Sequence, residues 1–167
     1  MTAAPLVVRE RVVGMAAFGV SADPNERLVT HALGASIAVT VHDPVQRVGG
    51  VLHAMLPSGE LDPEQRREHP ARFVDAGIPL LVRAIYELGG VKSRLVVKVA
   101  GGAWDEDEPE DDQVGKRNVV ACRELLQRNG VTLGAEDVGG ARVTRTVMLD
   151  IASGDVTVRS GTRQSLL

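Results

Sequence analysis

The chain has 167 residues, enough for one domain with a substantial core, and no apolar run of about eighteen residues, so no transmembrane helix is expected. Hydrophobic residues make up 44% but aromatics only 2%, so Val, Leu, Ile and Ala must build the core, a composition that tilts toward β-structure. The net charge is −3, the seven acidic residues of Asp105 to Asp112 leave +4 on the remainder, and the single cysteine, Cys122, excludes a disulfide framework or a multi-cysteine zinc site.

The opening "MTAAPLVVRERVVGM" is interrupted by Arg9, Glu10 and Arg11, which makes a poor secretion signal and points to the cytoplasm. Within it, "LVVRERVVG" has the β-branched content of a strand. Further on, "HALGAS" precedes a second strand, "ASIAVTVHD"; Gly34 is free to adopt positive φ, which would set Ser36 at the mouth of that strand. A third strand, "GGVLHAMLP", pairs with the second as a hairpin, because Asp43-Pro44 starts a turn and Gly49-Gly50 lets the chain re-enter. The polar, Pro-rich "PSGELDPEQRREHPAR" is expected to be an exposed loop.

From Pro70 to Leu88 the spacing of Phe73, Ile78, Leu81, Ala84, Ile85 and Leu88 predicts a helix that Gly89-Gly90 stops, with a bend at Pro79. "RLVVKVAGG" is a strand ending in a Gly turn, and the self-repelling block 105–112 is a solvated loop without the alternating ligands of a calcium loop. "VGKRNVVACRELLQRNG" is a second helix, with Val119, Cys122, Leu125 and Leu126 on one face and Asn129-Gly130 as its C-cap. "VTLGAEDVGG", "ARVTRTVMLDI" and "DVTVRSG" follow as a strand and a hairpin turned at Ser153-Gly154. Together these elements predict a single-domain α/β sandwich, about two long helices against mixed β-sheet.

Few side chains offer chemistry. Cys122 lies on an apolar helix face, away from any helix start or base, and is expected to be buried and inert. His31, His42, His53 and His69 match no metal-ligand spacing, and no metal or cofactor is expected. His53 differs from the others in sitting mid-strand among apolar residues, where an imidazole needs a partner. It is either a core histidine satisfied by backbone or a base approaching Ser36, one hairpin strand away.

The segments "LGASIAVTVHDP", "GGVLHAMLP", "RFVDAGIPLLVRAI", "KVAGGA", "GKRNV" and "AEDVGG" together resemble the CheD family of bacterial chemoreceptor glutamine deamidases, over about residues 29–159 of one domain spanning 1–167. The resemblance implies a fold similar to the catalytic domain of cytotoxic necrotizing factor, an α/β sandwich with a Cys–His pair. It implies hydrolysis of glutamine side chains on chemoreceptor cytoplasmic helices, and in some members binding of a CheC-like phosphatase, without nucleic acid, membrane insertion or cofactor. The family histidine falls on His53, the family threonine on Thr30, and the family Leu-Gly-Ser-Cys on Leu33, Gly34, Ala35 and Ser36. Serine thus stands where the resemblance places the thiol nucleophile. Three readings follow: a pseudoenzyme that only binds receptor helices or a CheC-like protein, a serine amidohydrolase, or an introduced substitution. Ala35 departs from the motif as well, which favours natural divergence.

Overall fold

The structure is a computed structural model that describes residues 7–167. The first six residues of the amino-terminal stretch, and with them Leu6 of the first expected strand, lie outside the described residues. The strands are β1 (Arg9–Val12), β2 (Ala17–Ser21), β3 (Glu26–Leu33), β4 (Ile37–Asp43), β5 (Val48–Ala54), β6 (Val96–Gly101), β7 (Leu133–Val138), β8 (Arg145–Asp150), β9 (Val156–Ser160) and β10 (Arg163–Leu166). The helices are α1 (Pro63–Glu68), α2 (Val74–Glu87) and α3 (Val114–Arg128).

The fold is mixed α/β in three layers. One sheet has the order β1-β3-β8-β9-β10 and the other β2-β5-β4-β6-β7. Each is mixed, since β1 runs parallel to β3 and β6 parallel to β7 while their other neighbours are antiparallel. Period-two alternation along β4 separates two cores. Ile37, Val39 and Val41 pack toward Ile78, Leu81, Ile85, Val119 and Leu126 of the helices. Ala38, with Val51 and Ala100, faces Leu28, Leu33, Val147 and Leu149 of the other sheet. Strands β4 and β5 are buried along their whole lengths because one face meets helices and the other meets a sheet. This explains their unbroken apolar character.

The β4–β5 hairpin forms as expected, and its register sets Ala38 opposite His53. Its corner is Asp43, whose Oδ1 accepts the Val45 and Gln46 amides while Arg94 closes on the carboxylate at 2.8 Å. That contact, foremost, holds the Asp43 carboxyl well below the usual carboxylate range.

Several expectations change. The helices cover only one of two sheets; in the other, β3 and β10 were not expected because they carry polar residues at exposed positions, and β2 of the helix-covered sheet is short. The stretch expected to be loop contains α1, started by an Asp62 side chain that accepts the Gln65 amide and by Pro63 in the first turn. Helix α2 begins at Val74 rather than Pro70, after a separate turn at Pro70–Arg72, and continues through Pro79 to Glu87 as one element. Pro79 is the sixth of the fourteen residues of α2, so it removes one backbone bond inside the helix, which nevertheless continues past it.

The acidic segment 105–112 is exposed, and its carbonyls at Asp105 and Glu108 accept the Gln113 side-chain amide. Among the described residues its carboxylates make one weak surface ion pair, Glu106 with Lys116 at 3.6 Å, and Glu106 also accepts the Trp104 indole N–H at 2.8 Å. Replacing residues 106–111 with a Gly/Ser linker should therefore lower stability by less than about 1 kcal/mol. Thermal melting checks this; a large drop would show that the carboxylates hold an ion or a structural contact.

Candidate active site

Ser36 stands in the short link by which the chain passes from β3 of one sheet to β4 of the other. The link is reached through a bulge: between Thr30, opposite Val147, and Leu33, opposite Arg145, two residues of β3 face one of β8. The left-handed residue that turns the chain is Ala32, at φ 59°, and not Gly34 as the sequence suggested. Such a conformation costs an alanine on the order of 1 kcal/mol. A Cβ at Gly34 would meet nothing within 4 Å, so neither conformation nor space demands glycine there.

The three residues singled out in the sequence come together. His53, on the inter-sheet face of β5 and fully buried, places its Nε2 2.9 Å from Ser36 Oγ. Its Nδ1 lies 2.7 Å from Thr30 Oγ1 on β3 of the facing sheet. The Thr30 hydroxyl also lies 2.7 Å from the Val13 carbonyl, which can only accept. Thr30 therefore spends its single proton on Val13 and accepts from Nδ1–H. That fixes the tautomer: the Nε2 lone pair faces Ser36, whose hydroxyl donates to it. Burial pushes the His53 pKa down to about 4, so the ring is neutral near pH 7.

The link carrying Ser36 is clamped by groups whose role the sequence did not disclose. Gly102 N–H donates to Ser36 O at 2.8 Å, and Ala103 N–H to Gly34 O at 2.9 Å. A Cβ on Gly101 would come within 2.4 Å of Ser36 O, and one on Gly115 within 2.0 Å of Ala103 O, so the turn after β6 and the start of α3 must be glycine to lie this close. Asn118, fully buried on α3, donates from Nδ2 to Ala35 O at 2.9 Å and to Met55 O at 3.0 Å. The available signal was a polar residue four before Cys122 on the helix's apolar stripe. Replacing Asn118 with alanine leaves two carbonyls without their donor, at a cost of about 1–3 kcal/mol. Urea denaturation checks this, and an unchanged midpoint would refute it.

Cys122 takes no part. It packs in the helix-side core, whereas His53 faces the other sheet, so the helix-covered sheet stands between them. Burial pushes its thiol up to about 12. Among the other histidines, His42 is buried with Nε2 2.9 Å from Ile151 O, and His31 is exposed. Among the described residues, no group of three or more His, Cys, Asp or Glu is placed to hold a metal ion, and no helix is long and apolar enough to cross a membrane.

Two packed sheets, one of them backed by helices, with one imidazole held between two hydroxyls at the crossing from sheet to sheet, define an α/β sandwich with a buried hydroxyl–imidazole relay. Comparison with known proteins narrows this class. The model of the family described as CheD chemotactic sensory transduction matches residues 55–160. The chain is 42% identical to "Probable chemoreceptor glutamine deamidase CheD 1" of Syntrophus aciditrophicus, over 89% of this chain and 92% of that protein. It is 46% identical to "Probable chemoreceptor glutamine deamidase CheD 2" of Anaeromyxobacter dehalogenans, over 89% and 93%. This chain belongs to the CheD family. The family match begins two residues after His53, but the alignment with the Pyrococcus horikoshii relative, 36% identical over 96% of this chain and 98% of that protein, runs through Thr30, Ser36 and His53.

Proposed function

We propose that this chain is a chemoreceptor glutamine deamidase of bacterial chemotaxis, acting in the cytoplasm, with Ser36 as nucleophile, His53 as general base and then acid, and Thr30 as the residue that orients the imidazole. The observation that carries this reading is the Ser36–His53–Thr30 chain of contacts at 2.9 and 2.7 Å in a member of a family whose curated relatives are named for that activity. A hydroxyl facing an imidazole whose other nitrogen is fixed by a partner is the arrangement that activates a nucleophile.

In the acylation step, Ser36 Oγ bonds to the carbonyl carbon of the glutamine side chain as its proton passes to His53 Nε2. The tetrahedral oxyanion takes the Ser36 backbone N–H, which has no acceptor among the described residues. His53 then returns the proton to the departing nitrogen, the C–N bond breaks, and ammonia leaves an acyl-serine. Water, deprotonated by the same Nε2, attacks the ester; the carboxylate product departs and Ser36 recovers its proton. The Thr30 hydroxyl accepts from Nδ1–H throughout, so the imidazolium that forms transiently remains hydrogen-bonded on both sides.

The substrate is a cytoplasmic helix of a chemoreceptor, and a CheC-like phosphatase is a second partner of the same face. Incubation with purified receptor cytoplasmic domain tests the reading. Ammonia release, with amide-to-acid conversion at defined glutamines by mass spectrometry, is the expected result. The absence of both, on several receptors, would refute it.

A further inference from the structure

Beside the site lies a cleft of about 550 Å³ whose wall includes Leu56, Pro57, Arg72, Phe73 and Arg117. It is continuous with the active site through the chain itself. Leu56 follows His53 by three residues, about 10 Å of extended chain, and Asn118, which holds both Ala35 O and Met55 O, is next to Arg117 on α3. Arg72 braces the same segment from the other side, its carbonyl accepting the Met55 and Leu56 amides.

The two arginines are charges without counterparts. Among the described residues, neither has a carboxylate within 4.0 Å, whereas Arg94, Arg123 and Arg145 are each paired. Arg117 spends one nitrogen on the Asp111 carbonyl, at 2.7 Å, which leaves its charge uncompensated. Arg72 Nε is buried with no partner, although a buried donor of this kind ordinarily finds one. Three acids lie at or near the cleft: Asp75 places Oδ2 on Ser58 and Arg66 while its Oδ1 is buried without a partner, the Asp62 side chain caps α1, and Glu60 stands on the exposed loop of the outer wall.

We propose that this cleft is a substrate subsite that takes a carboxylate side chain of the target protein, held by Arg72 and Arg117 while the target glutamine lies against Ser36. The proposal rests on the deamidase reading for the identity of the substrate. The about 10 Å of chain between His53 and Leu56 on the cleft wall matches roughly seven residues of helix, so the recognised Asp or Glu is sought within about two turns of the glutamine. Guanidinium groups suit this task because they meet a carboxylate with several donors in a fixed plane.

The test uses a helical fragment of a chemoreceptor cytoplasmic domain that carries the target glutamine, and a second fragment in which every Asp and Glu within two turns is changed to Asn or Gln. Binding to the full chain is read by fluorescence anisotropy, separately from ammonia release. The acid-bearing fragment should bind about tenfold more tightly than its neutral counterpart, since hydrogen bonds to charged groups contribute about that much. Arg72→Gln and Arg117→Gln should each erase most of that difference. The fragment comparison leaves the protein untouched, so it stands even if a variant misfolds. Equal binding of the two fragments to the unaltered chain would overturn the subsite whether or not ammonia is released. Loss of ammonia release with the binding difference intact would instead strike the deamidase reading alone.

Discussion

Changing His53 to glutamine lowers deamidation by roughly 10²- to 10⁴-fold, the range that general acid–base catalysis ordinarily supplies. Glutamine approximates the shape of the imidazole and can still hydrogen-bond, but it cannot take a proton from Ser36 or return one to the departing nitrogen. The pH dependence carries the same signature. Burial sets the His53 pKa near 4, so activity in the unaltered chain holds from neutral pH downward and falls as pH passes through about 4. A limb near the ordinary histidine value of 6.5 would contradict the buried, neutral base.

Stability also falls with acid, but its decline begins at higher pH. The native pKa lies below that of the unfolded chain, so between about 6.5 and 4 the unfolded state binds the proton first. Stability is therefore present above 6.5 and declines as the pH falls to 4, by a quantity on the order of 3 kcal/mol at most. The glutamine variant lacks this loss. It should be nearly inactive and yet more tolerant of acid, a pair of results that mere disruption of the core would not give. Urea midpoints at several pH values, alongside ammonia assays, measure both.

What the sequence disclosed and what it hid follow from the range of the interactions concerned. The β4–β5 hairpin was legible because its turn residues and its apolar runs are adjacent in sequence, and it alone brings His53 opposite Ala38, beside Ser36. Helix α3 was legible from its apolar stripe and its cap, Gly130 adopting φ 65° just past Asn129. The second sheet was not, because its strands, three of them expected, are joined by pairings that skip intervening elements: β1 pairs with β3, and β3 with β8. Thr30 reached the site only through family resemblance. Nothing local in "LVTHAL" announces that β3 crosses over the buried face of β5, or that Val13 O will take the threonine's proton. Gly34 was read as the turn residue on the general preference of glycine for positive φ, but the bulge transfers that conformation to Ala32. The clamp that Asn118 and the 101–103 turn place on the Ser36 link escaped for the same reason as the second sheet, since the partners lie tens of residues away.

Exchanging Ser36 for cysteine raises deamidation, by roughly 10²-fold or more. The argument begins with the base. An imidazole whose pKa is near 4 is a weak acceptor, and a serine hydroxyl must surrender its proton to it within the transition state. A thiol, with an ordinary pKa of about 8.5, surrenders its proton far more readily, and the thiolate is the stronger nucleophile. The geometry needs little change, because Nε2 already presents its lone pair at 2.9 Å to the atom that sulfur would replace, and the clamp from Gly102, Ala103 and Asn118 acts on backbone rather than on the side chain. Once formed, the thiolate would favour the imidazolium beside it, and Thr30 would continue to accept from Nδ1–H. His53→Gln in the Ser36→Cys background should abolish the gain, which separates a working pair from a merely accessible thiol. Cys122 offers an internal control, since its burial keeps it protonated and unlabelled by thiol reagents under the conditions that modify the introduced thiol of the Ser36→Cys variant. If the Ser36→Cys variant gains nothing on receptors that the chain binds, the cleft retains recognition without chemistry. If the unaltered chain already matches it, the clamp and the relay suffice for Ser36 to act as the nucleophile unaided.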